Sequence, residues 1–304
     1  MRDFISLNNF TLNEINKIIY LADIIKKKPQ EFADDLRGKH IGLLFEKPSL
    51  RTKTAFYLGA LELGADSVYY TPEEVNLGVR EKICDVARTI SGYMDAVVLR
   101  TFSHKTILEF SKYSSIPVVN ALSDLFHPSQ IIADILTIQE FKGELNNLKV
   151  SYIGDANNVC NSLIYVFSIL GGNLNIASPE GYTPTEHILE ESKRICAHSG
   201  GKINILNSCS EVAHDADVLY TDAWTSMGRE NEEEKRKNVF KDFQINDNIL
   251  TYAKKDCIVM HCLPAHRGEE ITDSVIDGKH SVVFMQAKNR LYAAKAILRY
   301  ILKD

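Results

Sequence analysis

The sequence predicts an α/β fold with two domains, each a mostly parallel sheet flanked by helices, linked by long helices. Short apolar runs alternate with longer stretches of helical spacing along most of the chain. Several runs, such as 96–99 and 257–260, contain no polar residue, as expected for strands covered on both faces. This alternation favours parallel strands joined by right-handed crossovers. A length of 304 residues suits two domains of ordinary size.

Local signals place the individual elements. Thr11 and Glu14 stand at the two ends of a capping box, which predicts a helix from this point to about Lys28. Apolar runs predict strands at 41–45, 67–70, 96–100, 117–120, 149–154, 174–177, 203–206, 217–221, 257–261 and 281–284. Helical spacing predicts helices at 54–63, 81–93, 104–114, 129–142, 159–171, 185–199 and 287–302.

A polar segment, 143–149, divides the chain into two series of strands and helices. We therefore expect domains at 1–145 and 146–287, joined by the helix at 129–142. By its pattern alone, the final helix could pack on either domain. The charged stretch 229–237 is most simply the solvated start of a helix, and the alternative is a mobile lid.

Composition excludes several classes of function. The net charge of −5 gives no electrostatic footprint for nucleic acid, and no apolar run approaches the length of a membrane span. The first residues do not resemble a signal peptide, and the six cysteines lack CxxC spacing, which disfavours a disulfide framework or a structural zinc site. We expect a cytoplasmic protein that binds neither nucleic acid nor membrane.

The run Ser49-Leu50-Arg51-Thr52 lies where the strand 41–45 leads into a helix. The first N–H groups of a helix lack intrahelical partners and favour an anion. Hydroxyl groups and a guanidinium add donors suited to phosphate. The simpler alternative is an ordinary serine cap followed by a surface arginine.

Further polar clusters follow other predicted strands, where ligands bind in open α/β sheets. They are Arg100 to His104, His127 to Gln130, Gly154 to Asn158, Asp222 to Gly228, and His261 to Gly268. Each has a simple structural alternative, such as a cap, a loop histidine or a surface ion pair. Gly154 to Asn158 lacks the glycine spacing of a dinucleotide site.

Together the clusters indicate a transferase. Arg51, Arg100 and Arg290, with a helix N-terminus, suit a dianion, whereas Asn158, Asp222 and Cys262 suit a zwitterionic amine. The sequence thus predicts a phosphate-bearing electrophile bound by one domain and an amine bound by the other.

These residues also resemble a known family, the ornithine carbamoyltransferases. The resemblance rests on five motifs, in the family's order: Ser49-Leu50-Arg51-Thr52, Arg100-Thr101, His127-Pro128-Ser129-Gln130, Asp222-Ala223-Trp224-Thr225-Ser226-Met227-Gly228 and His261-Cys262-Leu263-Pro264. The first motif is shared with aspartate carbamoyltransferases, while the Ser-Met-Gly and His-Cys-Leu-Pro elements are specific to the ornithine branch.

The resemblance implies transfer of a carbamoyl group from carbamoyl phosphate to the side-chain amine of L-ornithine, without a cofactor or metal. It also implies a role in arginine metabolism, with biosynthesis expected and breakdown as the alternative, a homotrimer with active sites shared between subunits, and a last helix, 288–304, that packs on the first domain. The implied carbamoyl phosphate contacts are Ser49, Leu50, Arg51, Thr52, Asn76, Arg100, His127, Gln130, Cys262, Leu263 and Arg290. The implied ornithine contacts are Asn158, Asp222, Ser226 and Met227. The implied catalytic residues are Arg100, His127, Asp222 and Cys262.

Three positions depart from the family pattern. Leu50 stands where threonine is common, Lys53 stands where arginine is usual, and Asn76 lies near the place where some members supply glutamine from a neighbouring subunit. We expect Lys53 to be structural. Three alternatives stay open: a carbamoyltransferase for putrescine, acetylornithine or aspartate, a nicotinamide-dependent enzyme, and a catalytically inactive homologue.

Overall fold

The computed structural model describes residues 2–225 and 230–303. Nine strands are present in these ranges: β1 (His40–Phe45), β2 (Asp66–Tyr70), β3 (Ala96–Arg100), β4 (Val118–Leu122), β5 (Lys149–Ile153), β6 (Asn173–Ala177), β7 (Lys202–Leu206), β8 (Val218–Thr221) and β9 (Ile258–His261). Among the helices that the same ranges form, none has the apolar length that a membrane-spanning helix requires.

The α-helices of the described ranges vary widely in length. They are α1 (Leu12–Lys27), α2 (Leu50–Leu61), α3 (Pro72–Val75), α4 (Ile83–Ser91), α5 (His104–Tyr113), α6 (Pro128–Lys142), α7 (Asn158–Leu170), α8 (Glu186–Ser199), α9 (Cys209–Ala213), α10 (Glu233–Phe240), α11 (Asp247–Leu250), α12 (Asp273–Ile276) and α13 (Val283–Lys303). Short 3₁₀ helices lie at Leu7–Asn9, Pro29–Phe32, Leu145–Asn147 and Glu230–Glu232.

The chain forms two compact units. One comprises the described residues up to Leu136 together with those from Lys288 onward, and the other spans Thr137–Ala287. Each unit contains a parallel sheet flanked by helices, so the predicted fold class is confirmed.

The sheet of the first unit has the strand order β2-β1-β3-β4. All of its strands are parallel, and Phe45 of β1 pairs with Arg100 of β3. Consequently the segments that follow β1 and β3 leave the sheet side by side at its carboxyl edge. Because β3 is buried along its whole length, it can carry Val97, Val98 and Leu99 without a polar break.

The sheet of the second unit has the order β7-β6-β5-β8-β9 and is also parallel. Thr221, the last residue of β8, pairs with His261, the last residue of β9. The segments after these strands therefore begin together, as the segments after β1 and β3 do in the first unit.

Helix caps confirm two of the local predictions. The capping box of Thr11 and Glu14 opens α1, with both of its reciprocal hydrogen bonds present. Ser49 caps α2, and its Oγ accepts a hydrogen bond from the Thr52 N–H at 3.2 Å. The second cap keeps the polar run 49–52 at the start of the helix rather than in a loop.

The strand predicted at 281–284 is wrong. Ser281 makes only an isolated bridge with Val259, and the Val282 N–H donates to the Val259 carbonyl at 3.0 Å. The chain then enters α13 at Val283, four residues earlier than the predicted start at 287. The β-branched run is thus divided between a short bridge and the first turn of a helix, and local strand propensity yields to that helix.

Candidate active site

In the first unit, the carboxyl edge of the sheet brings the segments after β1 and β3 together. The Glu46 N–H donates to the Arg100 carbonyl at 2.8 Å, which joins the segment after β1 to the end of β3. The Phe102 N–H returns a hydrogen bond to the Glu46 carboxylate at 2.8 Å. Burial raises the pKa of that carboxyl group, and the Phe102 N–H and the nearby Lys47 oppose this rise.

The first turn of α2 receives a cation from the far end of the chain. The buried guanidinium of Arg290, on α13, donates a hydrogen bond to the buried Thr52 hydroxyl. Arg51, the next residue on α2, is half-buried, whereas the Leu50 side chain is 77% exposed. Arg290 therefore lies at a helix N-terminus, where an anion is favoured by both the helix and the guanidinium groups.

His127 is buried next to two arginines. Burial lowers its pKa well below the usual range, and the positive charges of Arg290 and Arg100 lower it further. The imidazole is consequently neutral at pH 7 and can donate one N–H. Its Nδ1 lies 3.4 Å from the Ser129 hydroxyl. The positive charges of Arg290 and Arg100 therefore lie near His127 at this edge of the sheet.

The first unit also contains Gln130 and Asn76, which were predicted as substrate contacts, and Lys53, which departs from the family pattern. Gln130, one turn after His127, is buried and donates to Asp134 at 2.8 Å. Asn76 is exposed in a left-handed conformation at the end of α3, and the described contacts do not connect it to the arginines. The Lys53 ammonium lies 3.6 Å from the centre of the Tyr69 ring, a contact that fits a structural role.

In the second unit, Asp222 is the centre of a hydrogen-bonded group. Its carboxylate accepts from the Cys262 thiol at 2.8 Å, from the Asn157 amide at 2.7 Å and from the Ala223 N–H at 2.8 Å. Asn157 also caps α7 by accepting from the Val159 N–H at 2.9 Å. This group joins the ends of β8 and β9 to the start of α7.

Burial and a neighbouring negative charge also affect Tyr152. Its hydroxyl is buried and donates to the Asp155 carbonyl at 2.8 Å. Burial raises the pKa of Tyr152 well above its usual value, and the charge of Asp222 raises it further. Tyr152 is therefore a neutral hydroxyl near Asp222 and supplies no charge of its own.

Asp222, His261 and Cys262 also bring potential metal-ligating atoms within 4.8 Å of one another. However, both ring nitrogens of His261 are already in hydrogen bonds, with the Leu263 N–H at 2.8 Å and with Glu270 at 2.9 Å. Both nitrogens of the imidazole therefore bind other parts of the fold, and this arrangement does not suit a metal ligand.

Two family models match the chain almost from end to end. The carbamoyl-P binding domain of aspartate/ornithine carbamoyltransferase matches residues 2–140, and the Asp/Orn binding domain of the same family matches residues 146–301. The chain belongs to the aspartate/ornithine carbamoyltransferase family. It is therefore an enzyme of the transferase class.

Individual members of the carbamoyltransferase family are similar to this chain over its whole length. A protein from Oceanobacillus iheyensis named ornithine carbamoyltransferase is 43% identical, with 100% of this chain and 95% of that protein covered. A catabolic ornithine carbamoyltransferase from Thermoplasma acidophilum is 44% identical, with 99% and 98% covered. The crystal structure of the anabolic ornithine carbamoyltransferase from Campylobacter jejuni matches with a TM-score of 0.95 at 39% identity, covering 99% of each chain.

Some predicted residues of this carbamoyltransferase are placed differently from expectation, or not at all. Ser226 and Met227 lie outside the described residues. Asn158 is the first residue of α7, but Asn157 is the side chain that contacts Asp222. The residue pattern alone does not distinguish Asn157 from Asn158, since both stand at the same predicted strand-to-helix junction, and the family resemblance is what assigns Asn158 to ornithine.

Arg236 was not singled out from the sequence, although the structure connects it to the Asp222 region. It is fully buried, so the solvated reading of 229–237 is wrong at this residue. Its guanidinium donates to the Asp155 carboxylate at 2.8 Å, to the Trp224 carbonyl at 2.7 Å and to Glu232 at 2.9 Å. A run of charged residues does not show which of its cations is buried, because Asp155, which pairs with the buried Arg236, is distant in sequence.

Proposed function

We propose that this chain transfers the carbamoyl group of carbamoyl phosphate to the side-chain amine of L-ornithine, giving L-citrulline and phosphate. The observation that carries the proposal is the grouping of Thr52, Arg290, Arg100 and a neutral His127 around the carboxyl edge of the first sheet. Membership of the family and the names of the relatives support the same reaction.

The first unit is the proposed carbamoyl phosphate domain. We expect the phosphate at the start of α2, where Ser49, Leu50, Arg51 and Thr52 supply N–H groups, hydroxyls and a guanidinium. Arg290 adds a second guanidinium at the same turn. These groups stabilise the negative charge that remains on phosphate after it leaves.

The carbonyl group of the substrate requires donors that strengthen as its oxygen becomes negative. Arg100 and the neutral imidazole of His127 are the proposed donors, and Gln130 lies one turn further along α6. Removing one such donor from an oxyanion site typically slows turnover about 100- to 1000-fold. The low pKa of His127 matters here, because a neutral ring can donate one N–H without adding a third cation.

The second unit is the proposed ornithine domain. Asp222 and Cys262 are expected beside the amine, and Asn158, Ser226 and Met227 beside the rest of the amino acid. The amine must lose a proton before it attacks, and at pH 7 this costs about 5 kcal/mol for a group with a pKa near 10.4. Asp222 can orient the ammonium group, while a new N–C bond replaces the C–O bond to phosphate and the released proton passes to phosphate or solvent.

A citrulline assay with a panel of amines tests this proposal. The purified chain receives carbamoyl phosphate with ornithine, putrescine, acetylornithine or aspartate. Ornithine is expected to give the highest kcat/KM by at least 100-fold, because putrescine lacks the carboxylate, acetylornithine lacks the free α-amino group and aspartate lacks the side-chain amine. A preference for another amine, or no product with any of them, would refute the assignment.

The expected role in arginine biosynthesis rests on the resemblance alone, since one relative is named catabolic and another anabolic. We propose the biosynthetic direction. Expression in an arginine auxotroph that lacks this activity should restore growth without arginine. Failure to restore growth, with active protein present in the cells, would contradict that role.

A further inference from the structure

The segment after β9 contains a buried histidine–glutamate pair that the proposed reaction does not use directly. His261 Nε2 lies 2.9 Å from Glu270 Oε1, and both side chains are fully buried. The same glutamate oxygen accepts from the His266 N–H at 2.6 Å. Glu270 therefore joins the two ends of a short segment, 261–266, which we call the 261–266 turn.

Hydrogen bonding fixes which nitrogen of His261 carries the proton. The Leu263 N–H donates to His261 Nδ1 at 2.8 Å, so Nδ1 acts as an acceptor and carries no proton. The ring proton is then on Nε2, where it is donated to Glu270. Glu270 thus selects the one neutral form of His261 that can accept from Leu263.

The residue held by this bond has an unusual backbone. Leu263 has φ of +57°, a left-handed conformation that residues other than glycine seldom adopt. Such conformations persist only where surrounding contacts enforce them. Here one such contact is the bond from the Leu263 N–H to His261, which holds the peptide group between Cys262 and Leu263 and so fixes the point from which the Leu263 carbonyl continues.

The constrained peptide directly follows Cys262, whose thiol donates to Asp222 at 2.8 Å. The backbone of His261 is held as well, since its N–H donates to Gln286 at 2.9 Å. The Cys262 thiol and the Leu263 carbonyl therefore both depend on the conformation of one turn. The proposed function, on which the following inference rests, places the Cys262 thiol beside the reacting amine, and the family resemblance implies that Leu263 contacts carbamoyl phosphate.

We propose that His261 and Glu270 are positioning residues for carbamoyl transfer. Glu270 fixes the protonated nitrogen of His261, and His261 holds the peptide group between Cys262 and Leu263, so that the Cys262 thiol and the Leu263 carbonyl that flank it face the substrates in the reactive arrangement. The pair contacts neither substrate. Its effect is on kcat, through the placement of groups that do.

Two substitutions of His261 separate this role from a simple contribution to folding. His261→Asn keeps an acceptor near Nδ1, for the Leu263 N–H, and loses the reach to Glu270. His261→Gln keeps a donor near Nε2, for Glu270, and loses the acceptor for Leu263. If the Leu263 peptide is what matters, His261→Asn retains far more activity than His261→Gln.

The measurements are kcat and KM for both substrates, the affinity for carbamoyl phosphate alone, and the Tm of each variant. We expect His261→Gln to lower kcat about 100-fold, the usual effect of misplacing reacting groups by about 1 Å, and His261→Asn to lower it less than tenfold. The affinity for carbamoyl phosphate should stay within twofold of wild type in both variants. Equal losses of kcat, a greater loss in His261→Asn, or losses that follow Tm would overturn the proposal.

Glu270→Gln decides the question if neither His261 variant folds. It keeps the size of the side chain and an oxygen that can accept, but removes the charge that favours the donor at Nε2. A kcat lowered at least fivefold with unchanged carbamoyl phosphate affinity supports positioning, and an unchanged kcat overturns it. Wild-type enzyme that makes no citrulline would instead refute the proposed function, so the two failures are distinguishable.

Discussion

At the residue scale, the main feature of the first unit is a neutral histidine next to two buried arginines. Arg100 and Arg290 are both buried. Burial of His127 lowers its pKa, and the positive charges of the two arginines lower it further. Burying cations is unfavourable unless an opposite charge offsets the lost hydration. In the proposed function, the phosphate of the substrate supplies an opposite charge at these positions.

Arg51→Ala tests the phosphate site. Arg51 is half-buried on the first turn of α2, so its removal should leave the fold intact. Loss of a charged hydrogen bond of about 1.5–3 kcal/mol predicts a 10- to 100-fold fall in kcat/KM for carbamoyl phosphate. Thr54→Ala, on the exposed side of the same helix, is the matched control and should behave as wild type. Near-normal citrulline formation by Arg51→Ala would show that the guanidinium has no such role.

The low pKa of His127 predicts how stability depends on pH. The unfolded chain binds a proton at this histidine below about pH 6.5, whereas the folded chain does not, so the free energy of unfolding falls as the pH drops below that value. The slope from one such group reaches about 1.4 kcal/mol per pH unit. His104, whose pKa is also lowered by burial although Asp124 opposes the shift, contributes with the same sign.

His127→Gln should therefore flatten the pH dependence of unfolding between pH 6.5 and 5.5. The measurement is urea denaturation at several pH values, and the exposed His187→Gln is the control. In the His127 variant, the slope of the free energy of unfolding against pH should decrease to the contribution that His104 makes. A slope equal to that of wild type would mean that His127 is charged in the folded protein.

At the element scale, the sequence predicts what depends on neighbours in the chain. The capping box of α1 and the buried strand β3 follow from local spacing and continuous apolar character, and both are present. The strand at 281–284 fails because only two of its residues meet β9 before α13 begins. In the site, Thr52 and Arg290 are 238 positions apart, so their hydrogen bond has no local signal.

The buried Arg236 of helix α10 is a second case in which local sequence does not reveal a long-range contact. Arg236 connects this helix to Asp155, before α7, and to Trp224, after β8. Nη1 donates to both of these partners and Nε donates to Glu232, so the buried guanidinium is held by hydrogen bonds from two of its nitrogens. The helix thereby holds the two segments that carry Asn157 and Asp222.

Arg236→Lys should loosen these segments without removing the charge. A lysine has a single donor nitrogen and cannot reproduce both the Nη1 bonds to Asp155 and Trp224 and the Nε bond to Glu232, so we expect a lower Tm and a KM for ornithine raised about tenfold. The KM for carbamoyl phosphate should not change, because its proposed site is in the other unit. Lys237→Gln, the adjacent residue with exposed ion pairs to Glu233 and Glu269, is the control. A uniform change in both KM values would contradict this assignment.

At the scale of the whole molecule, apolar side chains exposed on the first unit bear on assembly. Leu58 and Leu61 of α2 are 40% and 42% exposed, and Val68 of β2 is 42% exposed. The strand β2 is at the edge of its sheet, and edge strands and apolar patches are common sites of subunit contact. We propose that this surface contributes to the homotrimer that the family resemblance implies.

Leu61→Glu tests the trimer and the sharing of its active sites together. A charge at a buried subunit contact is unfavourable, so the variant should have the mass of a monomer by light scattering, whereas wild type should have three times that mass. If neighbouring subunits contribute to each site, citrulline formation falls at least 100-fold while the secondary structure is retained. Leu108→Glu, which alters another exposed leucine, on α5, controls for the added charge and should stay trimeric and active. A fully active monomer would show that one chain carries a complete site, and a trimeric Leu61 variant would place the contact elsewhere on the surface.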